Sequence, residues 1–266
     1  ERRDEHQHQH TGKHAYTSAC ARLGIVPVSH ILSRLSSERL SLRHALLNPS
    51  SAKALSEGLS FNRCIRSLNL GSNLLGDDSA RPLLEAISGN LSLTKLDLSR
   101  NLLSDRFGEL LAQSLASPLC ALRDLVLAGN FLSDRFTDAL SKGLRNLIVV
   151  GFSPLRNLDV SNNKICDRNR ETLASILCRC SLYSLNLSWN DLRESETAKA
   201  GRVGDNFDVN AGYPLANAAL VHPGQLVSLE LSFNALPDVF GVIVGGMLAG
   251  NISLAVLDLS RNHLGQ

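Results

Sequence analysis

The chain has 266 residues, with 27 Lys and Arg against 25 Asp and Glu, a formal net charge of +2. That balance sets up no bulk field towards nucleic acid or acidic lipid, so neither is an expected partner. At 44% apolar and 20% charged residues the composition is globular and excludes a disordered chain.

In chain order, residues 1–16 read as a flexible polar lead. His6, His8, His10 and His14 lie in it. Imidazoles suit Zn or Ni, but this stretch offers no neighbours to orient them, so no metal is expected. The opening Glu1, a charged start without an apolar signal core, and a last unit cut short at Gln266 together predict a piece of a longer protein. Residues 17–36 carry Cys20, Leu23, Ile25, Val28, Ile31, Leu32 and Leu35, enough apolar surface for an N-terminal cap.

Residues 37–266 are repetitive. Leu103-Ser104-Asp105-Arg106-Phe107 recurs unchanged at Leu132-Ser133-Asp134-Arg135-Phe136. Around it runs L-x-x-L-x-L-x-x-N-x-L, with Asn73, Asn101, Asn130, Asn163, Asn190, Asn234 and Asn262 at the Asn position and Ala45 there in a degenerate first copy. That makes eight units, at successive intervals of 28, 28, 29, 33, 27, 44 and 28 residues. Leu-x-Leu alternates with period 2, a short strand buried on one face. The second half of each unit spaces its apolar residues like a helix, as in Leu83, Leu84 and Ile87. Asp77, Ser104, Ser133 and Asp167 sit where helix N-caps are expected, and Gly89-Asn90 and Gly250-Asn251 where helices stop.

Strand, turn and helix in this pattern are the leucine-rich repeat in its long form. The predicted fold is an α/β leucine-rich-repeat solenoid, a horseshoe with parallel strands on the concave face and helices on the convex face. Parallel strands sit about 4.8 Å apart whereas helices need roughly 8–10 Å, and that mismatch bends the stack. The Asn column is a structural ladder: each side chain satisfies backbone groups where the chain leaves its strand. The eighth repeat lacks its helix, so further chain or a partner is expected to cover its Leu257/Leu259 layer.

The repeat resembles the ribonuclease-inhibitor-like class. Tyr16-Thr-Ser-Ala-Cys20-Ala-Arg-Leu-Gly-Ile25-Val-Pro-Val-Ser-His30 and Leu40-Ser-Leu-Arg-His44 are similar to the lead-in of the leucine-rich-repeat-containing protein seventy-four group. That group is similar in turn to leucine-rich subunits of the ciliary nexin–dynein regulatory complex. The 44-residue sixth unit and the apolar insert from Leu147 to Pro154 depart from its pattern. The resemblance implies a non-enzymatic scaffold for protein partners, on a ciliary or other microtubule-based assembly.

The position between the two strand leucines faces the concave surface. It reads Ser41, Asn69, Asp97, Val126, Asp159, Asn186, Glu230 and Asp258, a stripe with four acids and no base. A basic partner segment fits such a stripe; a solvated face screened by Lys95, Arg100 and Arg261 is the plainer alternative. Trp189 and Phe233 occupy the position before the Asn in neighbouring repeats, and packing under the adjoining loop is favoured over partner contact. An inserted loop at about 191–224 carries Arg193, Arg202 and Asp205 and reads equally as a neutral loop or as a specificity element. Gly201-Arg202-Val203 resembles the arginine loop of Ran GTPase-activating proteins, the rival reading from another class.

Six cysteines are too sparse for a disulfide scaffold and suit a reduced, cytoplasmic setting. Cys64, Cys120 and Cys180 recur at one place in the repeat, as packing thiols do. No catalytic constellation or phosphate-cradling loop is phased with the repeat, so no enzyme activity and no cofactor are expected. The longest weakly polar run, Val239 to Gly250, is shorter than the roughly 18 residues a membrane helix requires.

Overall fold

The computed structural model describes residues 10–145, 153–166, 172–173, 176–177, 180–192 and 226–265. Each Leu-x-Leu segment forms a three-residue strand: β1 (Arg39–Ser41), β2 (Ser67–Asn69), β3 (Lys95–Asp97), β4 (Asp124–Val126), β5 (Asn157–Asp159), β6 (Ser184–Asn186), β7 (Ser228–Glu230) and β8 (Val256–Asp258). They pair in parallel, in chain order, as one eight-stranded sheet. The register is set by the leucines, because a one-residue slip would turn every one of them out of the core. Leu40, Leu68, Leu96, Leu125, Leu158, Leu185, Leu229 and Leu257 accordingly stand opposite one another along the sheet.

The other layer is helical. Among the described residues it comprises α1 (Lys13–Arg22), α2 (Ser29–Arg34), α3 (Pro49–Phe61), α4 (Asp77–Ser88), α5 (Phe107–Leu115), α6 (Asp134–Arg145) and α7 (Asp238–Leu248). Consecutive helices pack side by side from α3 to α6, with α1 against α3. The core lies between the layers: Leu68, Leu70, Leu83 and Ile87 of one repeat meet Leu96, Leu98, Phe107 and Leu111 of the next, all fully buried. Each such side chain contributes roughly 1.5–3 kcal/mol, and only stacking makes the burial possible. Small residues set the helix spacing where it is tightest. A Cβ on Gly143 of α6 would lie 2.2 Å from Cβ of Ala112 on α5.

The Asn column lines up as one ladder. Asn101 shows the unit: its Nδ2 donates to the carbonyls of Leu98 at 2.9 Å and of Leu70, one repeat earlier, at 3.1 Å. Its Oδ1 accepts from the backbone N–H groups of Asn73 and Leu75 at 3.1 and 3.0 Å. Asn130, Asn163 and Asn262 repeat both halves of this pattern. Asn73 also serves the degenerate first unit, where Leu47 N–H bonds to its Oδ1 and Leu42 O accepts from its Nδ2. At Asn234 the ladder loses half a rung: Nδ2 bonds to the carbonyls of Leu187 and Leu231, but among the described residues the buried Oδ1 has no hydrogen-bond partner. The 44-residue interval leads into this repeat.

Two expectations need correction. The lead was expected to be flexible to residue 16, yet α1 begins at Lys13 and Tyr16 is buried. Tyr16, Ala19 and Cys20 fall on one helical face, which packs on α3. At Gly12, whose φ is +67°, a Cβ would sit 2.0 Å from the Gly58 carbonyl oxygen, so the chain enters the cap through a position open only to glycine. Ser133 stands just before α6 and its hydroxyl accepts the Arg135 N–H, as a cap does, but Asp77 and Ser104 are not the residues before their helices: α4 and α5 start after Gly76 and Arg106, and the Ser104 hydroxyl accepts only the Arg106 N–H ahead of α5. The Asp77 carboxylate accepts instead from the N–H and hydroxyl of Ser104 in the following repeat. Asp167 lies outside the described residues.

The eighth layer is thinner than the rest. Leu254, Leu257 and Leu259 are only partly buried, and Val256 is half exposed.

Candidate functional site

Because strand side chains alternate, Leu on both sides of the middle position forces that residue to the concave face. Asn69, Asp97, Val126, Asp159, Asn186, Glu230 and Asp258 all stand there, half-exposed and in register across β2 to β8. Most also hold their own turn. Oδ1 of Asn69, Asp97, Asp159, Asn186 and Asp258 each accepts the backbone N–H two residues on, all at 2.9 Å. These short polar side chains therefore brace the exit from the strand while presenting their second polar atom to solvent.

Two cross-strand bonds join the column. Asn69 Nδ2 donates to Asp97 Oδ2 at 2.9 Å, and Asn186 Nδ2 donates to Glu230 Oε2 at 2.7 Å. Glu230 and Asp258 are direct register partners with no cation between them. Ion pairs among the described residues are Arg22–Glu57 and Arg66–Glu38, so Lys95, Arg100 and Arg261 do not pair with the stripe. The Asp258 carboxyl is nevertheless held below the usual carboxylate range, first by the Ser260 N–H, then by the Ser260 hydroxyl.

The residue before each ladder Asn forms a second column, with backbone in the left-handed region throughout. Its φ values are +58° at His44 and Ser72, +52° at Arg100, +69° at Gly129, +51° at Asn162, +57° at Trp189, and +56° at Phe233 and Arg261. For a bulky side chain that conformation costs roughly 1–2 kcal/mol. Trp189 and Phe233 bear this cost side by side, their rings stacked 3.8 Å apart at 12°. They pack on each other and remain 56% and 38% exposed. Arg193, Arg202 and Asp205 of the inserted loop lie outside the described residues.

A series of aspartates, of which the sequence reading assigned only Asp77 to a helix cap, forms a second ladder. Asp77, Asp105, Asp134 and Asp238 each stand four residues after a ladder Asn, and each carboxylate accepts a backbone N–H of the next repeat, from Ser104, Ser133, Cys166 and Gly265. The regular Asn-to-Asp interval was the signal that distinguished this role. Asn62, Asn90 and Asn251, at a third place in the repeat, accept two backbone N–H groups each as the chain leaves a helix. Of the thiols, Cys20, Cys120 and Cys180 are buried and Cys64 is half-buried. Burial pushes Cys180 up to about 12 and Cys120 upwards too. Among the described residues no group of three or more His, Cys, Asp or Glu side chains could hold a metal ion, and no helix is long and apolar enough to cross a membrane.

A family model described as a Leucine Rich repeat matches residues 61–84. No curated protein matches the chain. Among solved structures, the chain is similar to the leiomodin-1 actin-binding site 2, at 13% identity and a TM-score of 0.44, over 54% of this chain and 79% of that one. It is also similar to an internalin (inlF) from Listeria monocytogenes str. 4b F2365, at 21% identity and a TM-score of 0.43, over 91% of this chain and 66% of that one, just under two thirds of its length. Both are faint likenesses. The eight-stranded parallel ladder, with its repeating leucines and asparagines, is what makes this a protein of the leucine-rich-repeat type.

Proposed function

We propose that the chain is a non-enzymatic protein–protein interaction scaffold that presents its concave face to a partner. The observation that carries this reading is the column of Asp97, Asp159, Asn186, Glu230 and Asp258, held in register on a rigid ladder beside the Trp189–Phe233 stack. A surface fixed by repeat stacking loses little freedom on binding, so more of the contact energy goes into affinity. The finer assignment, a cytoplasmic component of a ciliary or other microtubule-based assembly, rests on the resemblance of Tyr16 to His30 and Leu40 to His44 and on the sparse cysteines.

The test is photo-crosslinking in the native cell, followed by reconstitution of the captured partner with purified chain. Replacing Asp159, Glu230 and Asp258 together with Ala is expected to weaken that complex about tenfold or more, with the circular dichroism melt of the chain retained. Undiminished binding would reduce the stripe to a solvated face.

A further inference from the structure

The concave face is not uniform along its length. The first and third strand positions in β1 to β4 include Arg39 and Lys95 as well as Asp97 and Asp124. In β5 to β8 the same positions read Asn157, Asp159, Ser184, Asn186, Ser228, Glu230, Val256 and Asp258, with three acids and no base. The aromatic stack belongs to this acidic half. Trp189 follows Asn186 by three residues and Phe233 follows Glu230 by three, so rings and carboxylates sit on adjoining strands about 4.8 Å apart.

Phe233 is flanked by Trp189 on one side and by the repeat of Arg261 on the other, whereas Trp189 has Phe233 on one side and the small, neutral Asn162 on the other. The indole is the aromatic ring that attracts cations best, and planar guanidinium groups favour stacking over it. Oε2 of Glu230 accepts from Asn186 Nδ2, and among the described residues its other oxygen accepts no hydrogen bond.

We infer that the Trp189–Phe233 stack is the docking point for an arginine of a basic protein segment, which lays its guanidinium on the exposed indole within the field of Asp159, Glu230 and Asp258. The inference rests on the scaffold reading and names the chemistry of the partner at that face. Arginine is preferred to lysine here because a compact ammonium can neither stack nor bridge two acceptors in one plane. Unpaired nucleobases would also stack on the rings, but their phosphates would meet three carboxylates and no strand-borne cation.

Trp189 is the single tryptophan of the chain, so its emission reports the site directly. The probes are a short Gly–Ser peptide carrying three arginines, its lysine and glutamate counterparts, and an oligo(dT). The arginine peptide is expected to quench the emission saturably, and the lysine peptide to bind at least about threefold more weakly. Phe233→Ala, and separately Glu230→Gln with Asp258→Asn, should each weaken the arginine peptide about tenfold. The Gln and Asn substitutions keep the local hydrogen-bond acceptors, so an unchanged melt separates loss of charge from loss of fold. Equal titration by arginine and lysine peptides, indifference to Phe233→Ala, or tighter quenching by oligo(dT) overturns the inference. A crosslinked native partner that is lost with the three carboxylates but indifferent to Phe233→Ala also overturns it, and leaves the scaffold reading standing.

Discussion

One buried asparagine answers for several backbone groups at once, so its removal is costly out of proportion to its size. Asn101 bonds to three carbonyls and two N–H groups, spread over two repeats. Asn101→Ala leaves those groups without partners in a site that water does not reach, and a loss of about 3 kcal/mol is expected. Asn234→Ala should cost roughly half as much, since among the described residues its Oδ1 has no hydrogen-bond partner. Urea unfolding of the two variants against the parent checks the ordering; equal losses would mean that the Oδ1 bonds contribute little. The ladder itself was legible in the sequence, because a recurring Asn after Leu-x-Leu has few other uses. The missing half-rung was not: Asn234 carries the same local sequence signals as Asn101. The Asp77, Asp105, Asp134 and Asp238 series is a regular pattern of which only Asp77 is read from the sequence, and as a cap, since an Asp beside a helix start suits a cap as well as a cross-repeat acceptor.

At the level of elements, strands were the easiest to read and the cap the hardest. Leu-x-Leu dictates a buried edge whatever surrounds it, whereas α1 has a polar sequence and shows its purpose only once α3 is beside it. Tyr16 ties this cap together: buried beneath α1, its hydroxyl accepts the Val28 N–H at 3.0 Å. Burial is the main reason its phenol is pushed up to about 12, against an ordinary value of 10.0; the Val28 bond opposes the shift and Cys20 adds to it. The folded cap therefore keeps a neutral phenol where the unfolded chain would ionise. The resulting stabilisation is fully present below the unfolded value of 10.0 and is lost as pH rises through about 12. Absorbance at 295 nm should show one late-ionising tyrosine, and that phase should vanish in Tyr16→Phe. Complete ionisation of the tyrosines by about pH 11 would contradict a buried Tyr16.

Over the whole molecule, stability in a stacked array is a sum of repeat terms and nearest-neighbour interfaces, so a weak interface is a line along which the array can part. The junction between the sixth and seventh repeats keeps its strand pairing, with Ser184, Leu185 and Asn186 opposite Ser228, Leu229 and Glu230. Among the described residues it lacks the Oδ1 half of the Asn rung that links Asn101, Asn130, Asn163 and Asn262 to the repeats before them. Beyond it, the fully buried side chains from β7 through α7 to β8 among the described residues are chiefly Leu229, Leu231, Leu236, Phe240 and Val244, while Val242 and Val256 face solvent. Native-state hydrogen exchange should then find β7 and β8 opening together, at a free energy lower by about 2 kcal/mol or more than that of β2 to β5. The shared value matters as much as the low one, because fraying from the last strand alone would open β8 well before β7. If β7 is protected as strongly as β3, the half-rung at Asn234 is no line of weakness and the array unfolds as a single unit. If the two strands do open together, a partner that docks across Trp189 and Phe233 would span that line, clasping the sixth repeat to the seventh and raising the protection of β7 and β8 in proportion to its affinity.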